Sequence, residues 1–237
     1  LLEKVLNVKG LTPLVLFIFV FPAWSSQAET EHYLNVIVEN ITRIDSFEPD
    51  VWQYQRISKN ADVKRVEIYN PKQFPKWRLI SVNDRVPSEK QLVEYTEKQR
   101  QLKNKKSKQI ALGDKLSNLI QLENSKVIGQ DENLIRLSFN PKVTSLSQSD
   151  QEKLFGFIIL EKESRLLKQV VIYNAHKLNP AFSVKIENFS ITMNFSEVNG
   201  HMHLEKITTS IKGKYAFFKS FQDHTEYGYS DFTYVGN

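Results

Sequence analysis

Phe189, Ile191, Met193 and Phe195 alternate with Asn188, Ser190, Thr192 and Asn194. A period of two places the apolar set on one face and the polar set on the other, as in a strand with one side in a core. Asn199-Gly200 follows. Both residues tolerate the positive φ of a two-residue hairpin turn, so the chain must return beside itself. The returning segment shows Met202 and Leu204, then Ile207, Thr209 and Ile211. Its apolar phase flips between Leu204 and Ile207, which predicts a bulge. The same β pattern begins at Leu134, with Ile135, Leu137 and Phe139 alternating. Residues 154–160, LFGFIIL, are apolar on both faces and predict a strand covered on each side. Residues 166–173 are its expected hairpin partner. A Ser-rich linker is expected at 144–150, and further strands at 215–221 and 225–235.

The first half mixes the two periods. Leu34, Ile37, Val38, Ile41 and Ile44 recur at helical spacing and predict a helix over 30–45. Trp52 and Tyr54 share a face of a strand at 51–58, and Val66 and Ile68 a face of one at 63–70. Lys59-Asn60-Ala61-Asp62 is the turn between them, and residues 77–82 are a third strand closed by Asn83-Asp84. Ser88 with Gln91 three residues on forms a capping box, so a helix runs from there to about residue 102 with Leu92 and Tyr95 inward. Leu112, Leu116, Leu119, Ile120 and Leu122 predict another short helix. Consecutive hairpins make an antiparallel sheet. Helical faces that must be buried, and long edges that must be protected, favour an α+β fold. The expected form is a curved, incompletely closed antiparallel β-barrel with helices covering the concave face.

Residues 1–28 read as a secretory signal peptide. Lys4 and Lys9 precede an uncharged apolar run, and Ser26 and Ala28 form a small-residue cut site. The run is shorter than the about 20 residues a membrane span needs. Residues 29–237 are then a single domain, expected to be soluble in the periplasm. The chain has no cysteine, which excludes thiol chemistry and a lipid anchor on a mature N-terminal Cys. The formal charge is +5, with Lys and Arg mostly interspersed among acids, which argues against a nucleic-acid surface. A basic run over 98–108 is the exception, read as a solvated stretch or a peripheral contact to anionic lipid heads. Asn40, Asn188 and Asn194 each open an Asn-x-Ser/Thr triplet, a pattern that also arises by chance.

Residues 77–102, WRLISVNDRVPSEKQLVEYTEKQRQL, and residues 212–232, KGKYAFFKSFQDHTEYGYSDF, resemble stretches of uncharacterised proteobacterial proteins of the lipoprotein-localisation family, the LolA/LolB/LppX type. The resemblance implies an incomplete antiparallel barrel with an N-terminal helix and a helical lid. It also implies a hydrophobic cavity that takes a lipid, an acyl chain or an acylated protein. The residues expected to line it are Trp52, Tyr54, Leu92, Tyr95, Phe155, Phe157, Phe189, Ile191, Met193 and Phe217. Rows of aromatics at strand spacing are also ordinary core. The alternative is therefore an envelope interaction or sensor module whose core is filled.

Catalytic signals are sparse. His201, His203 and Glu205 alternate and offer two imidazoles and a carboxylate, a set that binds zinc or iron elsewhere. The plainer expectation is a polar strand end beside a hairpin turn. No G-x-S-x-G, H-E-x-x-H or Gly-rich phosphate loop occurs. The chain is expected to act by binding, without a cofactor or metal.

Overall fold

The computed structural model describes residues 27–104, 115–144, 146–216 and 218–236. The signal-peptide reading falls on residues outside these, apart from the first turn of the first helix. That helix, α1 (Gln27–Asp45), is followed by three strands: β1 (Trp52–Lys59), β2 (Lys64–Tyr69) and β3 (Trp77–Val82). Helix α2 (Glu89–Asn104) comes next, with β4 (Ile120–Gln121), β5 (Val127–Gln130) and β6 (Leu134–Pro141) after it. A four-residue helix, α3 (Gln148–Gln151), leads into β7 (Leu154–Glu161) and β8 (Leu167–Asn174). The chain ends with β9 (Leu178–Ala181), β10 (Val184–Val198), β11 (His201–Tyr215) and β12 (Lys219–Tyr234). No described helix is long and apolar enough to cross a membrane.

All pairings are antiparallel, in one 12-stranded sheet of order β3-β2-β1-β12-β11-β10-β8-β7-β6-β4, with β5 on β6 and β9 on β10. The order has two ends, β3 and β4, so the sheet is open. The fold is α+β in the coarse sense: an antiparallel sheet with three described helices. The last strand closes back onto the first hairpin, Trp52 against Tyr234 and Lys59 against Glu226.

Local chemistry fixes the register. Asn199 (φ 52°) and Gly200 (φ 79°) make the β10–β11 turn. Asn194 pairs with Lys206 and Phe195 with Leu204, so Glu205 is the extra residue of the expected bulge. It keeps Leu204 and Ile207 on the face that carries Met193 and Phe195. Gly156 allows the Phe139 ring to lie where a Cβ would stand, 2.3 Å from its ideal position. At α2, the Ser88 amide donates to Gln91 Oε1 (2.9 Å) and the Gln91 amide to Ser88 Oγ (3.3 Å).

Four expectations are corrected. Residues 116–121 are not an α-helix: a one-turn 3-10 helix, Leu116–Asn118, runs into β4, because Ile120 pairs with Pro141 and the Lys142 amide bonds the Leu119 carbonyl, while Leu112 lies outside the described residues. Ser147 caps α3 inside the expected linker, accepting from the Asp150 amide. Residues 215–221 are not one strand, because Ala216 (φ 48°) turns the chain and Tyr215 pairs with Lys219. Residues 154–160 are fully covered on one face only: Leu154, Gly156, Ile158 and Leu160 are buried, while on the other face Phe157 and Ile159 are half-buried and Phe155 is 47 % exposed.

Val36, Ile37, Ile41 and Ile44 of α1 join one core cluster with the buried rows of β6, β7, β8, β10 and β11. Asn40 lies within that apolar stripe and is buried. Its amide cross-links the helix to the β7–β8 turn: Nδ2 donates to the Val36 (2.8 Å) and Arg165 (2.9 Å) carbonyls, and Oδ1 accepts from the Leu167 amide (3.0 Å). A glycan on Asn40 is incompatible with this fold. Arg43, in the last turn, reaches Glu197 (2.7 Å) and the Gly200 carbonyl (3.1 Å). Asn40→Ala leaves the Leu167 amide and the Arg165 carbonyl without partners. It should destabilise by about 3 kcal/mol and lower the thermal midpoint by about 9 °C, read by calorimetry. A midpoint within about 2 °C of wild type would show that α1 is held by its isoleucines alone.

Candidate functional site

The pleat of β1 puts Trp52, Tyr54 and Arg56 in one row. Register then sets Tyr54 opposite Tyr69 and Arg56 opposite Glu67, with Tyr69 opposite Trp77 on β3. Tyr229 faces Arg56 from β12. Hence the covered side of β2 carries Glu67 and Tyr69, both buried, while Val66 and Ile68 share the half-buried opposite face.

Arg56 and Glu67 form a bidentate ion pair: Nε to Oε2 at 2.8 Å and Nη2 to Oε1 at 2.9 Å. The Glu67 side chain is 4 % exposed and that of Arg56 23 %. Such a fork is among the strongest charge-assisted arrangements. The Arg56 guanidinium carbon lies 3.9 Å from the Trp77 ring centre and 5.9 Å from that of Tyr227. Burial works against its positive charge, but the hydrogen bonds and charge of Glu67 outweigh that and raise its pKa. Around the pair the aromatics pack tightly, Tyr54 stacking on Tyr69 with ring centres 5.0 Å apart and Trp77 lying 5.1 Å from Tyr69. Tyr69 donates to the Asp50 carboxylate, which Lys76 also contacts (2.9 Å). These two bonds hold Asp50 below the ordinary carboxylate range.

Helix α2 meets this cluster with an unusual stripe. Gln91, Tyr95 and Gln99, spaced by four, are the half-buried residues between 89 and 101, and none in that range is buried. Leu92 (42 %) and Val93 (69 %) point to solvent, which corrects the inward placement of Leu92. The buried Tyr95 hydroxyl sits beside the Glu67 carboxylate but makes no hydrogen bond of normal geometry. Burial and then the Glu67 charge push its pKa well up, and burial does the same to Tyr54. At the root of α2 lies a polar cleft of about 530 Å³, lined by Val82, Asn83, Arg85, Val86, Ser88 and Gln91.

Of the ten expected lining residues, the structure brings Trp52, Tyr54, Ile191 and Met193 into one core cluster, with Phe189 packed against it. Trp52 and Tyr54 belong to the aromatic cluster, and Tyr95 meets it from α2. Ile191 and Met193 are buried in the core cluster that contains the α1 isoleucines, with Phe189 half-buried against it. Phe155 and Phe157 pair with Tyr173 and Val171 on the other face of the sheet, where Arg136 lies 5.2 Å over the Phe157 ring. Phe217 lies outside the described residues. Arg56 and Glu67 were missed as partners. The available signal was parity: Arg56 shares the row of Trp52 and Tyr54, and Glu67 that of Tyr69.

Among the described residues no three His, Asp or Glu side chains gather as a metal site. His201 and Glu205 are exposed, whereas His203 is buried. Its ring centre lies 3.9 Å from that of Phe232 and 6.2 Å from that of Phe47. No family model matches the chain, nor does any curated protein or solved structure.

Burial lowers the pKa of His203. Below its ordinary value of about 6.5 the unfolded chain therefore binds a proton that the folded chain resists. This contribution to stability is complete above that pH and is lost progressively as pH falls. The thermal midpoint should drop between about pH 7.5 and 5, and less steeply in His203→Gln. Equal slopes in both proteins would show that His203 does not carry the effect.

Proposed function

We propose that the chain is a non-enzymatic binding and carrier protein for a lipid, an acyl chain or an acylated protein, held between the sheet and α2. The observation that carries this is the polar inward stripe of α2. A helix that buries a leucine stripe is locked by several kcal/mol of apolar transfer. A helix resting on Gln91, Tyr95 and Gln99 gains little of that, and it leaves the Tyr95 hydroxyl unsatisfied, at about 1–3 kcal/mol. Helix α2 is thus a lid that lifts cheaply. Lifting it uncovers the Arg56–Glu67 pair, with the Trp77 and Tyr227 rings that lie on the guanidinium. In this proposal the open sheet curves as an incompletely closed barrel whose concave side takes the guest. The leader sends the protein to the periplasm, and the site needs no cofactor.

One observation favours a second reading. Trp52, Tyr54, Ile191 and Met193 are all buried within a single core cluster, as a scaffold with a filled interior requires. Such a scaffold would serve an envelope partner through its surface.

Titration with a fluorescent fatty acid in detergent-free buffer separates the two. The carrier reading expects saturable uptake. Tyr95→Phe deletes the unsatisfied hydroxyl, favours the closed lid, and should weaken apparent affinity about fivefold while raising the thermal midpoint. Absence of saturable uptake, with no lipid on the purified protein by native mass spectrometry, supports the filled scaffold.

A further inference from the structure

The three longest strands outrun their neighbours. β8 pairs with β10 only from Ser190 onward, and β1 pairs with β12 only from Glu226 onward. Between Val184 and Phe189, and between Lys219 and Thr225, these strands extend as a ribbon held by β11 and short β9. At about 3.3 Å per residue the ribbon runs on the order of 20 Å past the last pairs with β8 and β1. It is tightly built: a Cβ on Gly213 would stand 2.3 Å from the Lys185 carbonyl oxygen and 2.9 Å from the Phe221 ring.

Val184 pairs with both Ala181 and Tyr215, so the β9–β10 and β11–β12 turns share one end of the ribbon. That end presents Phe182 (95 % exposed), Phe218 (82 %) and Tyr215 (38 %). Exposed large aromatics at adjoining loop tips mark a contact surface far more than single scattered apolar residues do. The charge around them is one-sided. Lys177, Lys185, Lys212, Lys214 and Lys219 flank the tip, against Glu187 and Asp223. Glu187 is 3.8 Å from Lys214, and Lys219 Nζ lies 5.3 Å over the Tyr215 ring.

From this geometry we infer that the ribbon tip docks on an anionic lipid bilayer, with Phe182 and Phe218 entering the interface and the lysines facing lipid phosphates. Aromatic rings are favoured at headgroup depth, and each nearby lysine adds roughly 1 kcal/mol on an anionic surface. The two signals together give a reversible, salt-sensitive attachment. Docking shares no residue with the α2 site and stands whether or not the protein carries a lipid.

Flotation of the cargo-free protein with vesicles tests it. The protein should float with vesicles of about 30 % phosphatidylglycerol at about 0.05 M salt, and lose most of that binding at about 0.5 M salt or on pure phosphatidylcholine. The double variant Phe182→Ser with Phe218→Ser should bind about tenfold more weakly, and Lys185→Glu with Lys219→Glu by at least as much. Phe218→Trp retains an aromatic ring, so it reports insertion without loss of fold. Its emission should shift to the blue and be quenched by brominated acyl chains, beyond any change in wild type. Failure to float at low salt, flotation undiminished in both double variants, or an unquenched Trp at 218 would each overturn the proposal. Fatty-acid uptake is read without vesicles, so docking and carriage fail separately.

Discussion

Two opposite charges removed from water on the covered face of an antiparallel sheet constrain everything around them. Arg56 and Glu67 satisfy one another through two parallel hydrogen bonds, as a pair withdrawn from water requires. Trp77 and Tyr227 supply a ring cover over the guanidinium. Tyr95 brings a helix across the carboxylate. The position of β1 between β2 and β12 makes the pair possible, because it sets residues 56, 67 and 229 side by side. Replacement of either charge alone would strand the other.

The two long helices are secured by different physics. α1 delivers Ile37, Ile41 and Ile44 to the core and is pinned by Asn40 and Arg43. α2 delivers glutamines and one tyrosine. Apolar burial grows with area and is hard to reverse locally, whereas polar contacts are readily exchanged for water. The helix that begins at the Ser88 cap, above a polar cleft, is therefore the element suited to local opening. The carrier proposal rests on this contrast, which depends on the side chains that face inward rather than on the presence of a helix.

Much of the sheet was legible because its signals are local. The β10 alternation, the Asn199-Gly200 turn and the phase flip at Glu205 each follow from residues close in sequence. The Ser88 capping box is equally local. Errors arose where distant partners decide. Leu116 and Leu119 look helical, yet the following residues pair with β6. Phe155 looks like core, yet nothing in its own segment says that only one face of β7 is fully covered. Val66 and Ile68 are the apolar pair of β2, but β1 chooses the register and turns Glu67 inward. An apolar-counting rule cannot find a buried ion pair, since both members look like surface residues. Leu92 fails for a related reason: periodicity locates a stripe, and the stripe that faces the sheet carries Gln91, Tyr95 and Gln99.

Amide hydrogen exchange along α2 examines the lid directly. If α2 opens by itself, its amides should exchange through a local route, far faster than those of β10 and β11, and an added long-chain fatty acid should change the α2 rates while leaving the core strands alone. If α2 exchanges only with global unfolding, at the same free energy as β10 and β11 and with no response to fatty acid, the helix is a fixed part of the scaffold and the carrier account is wrong.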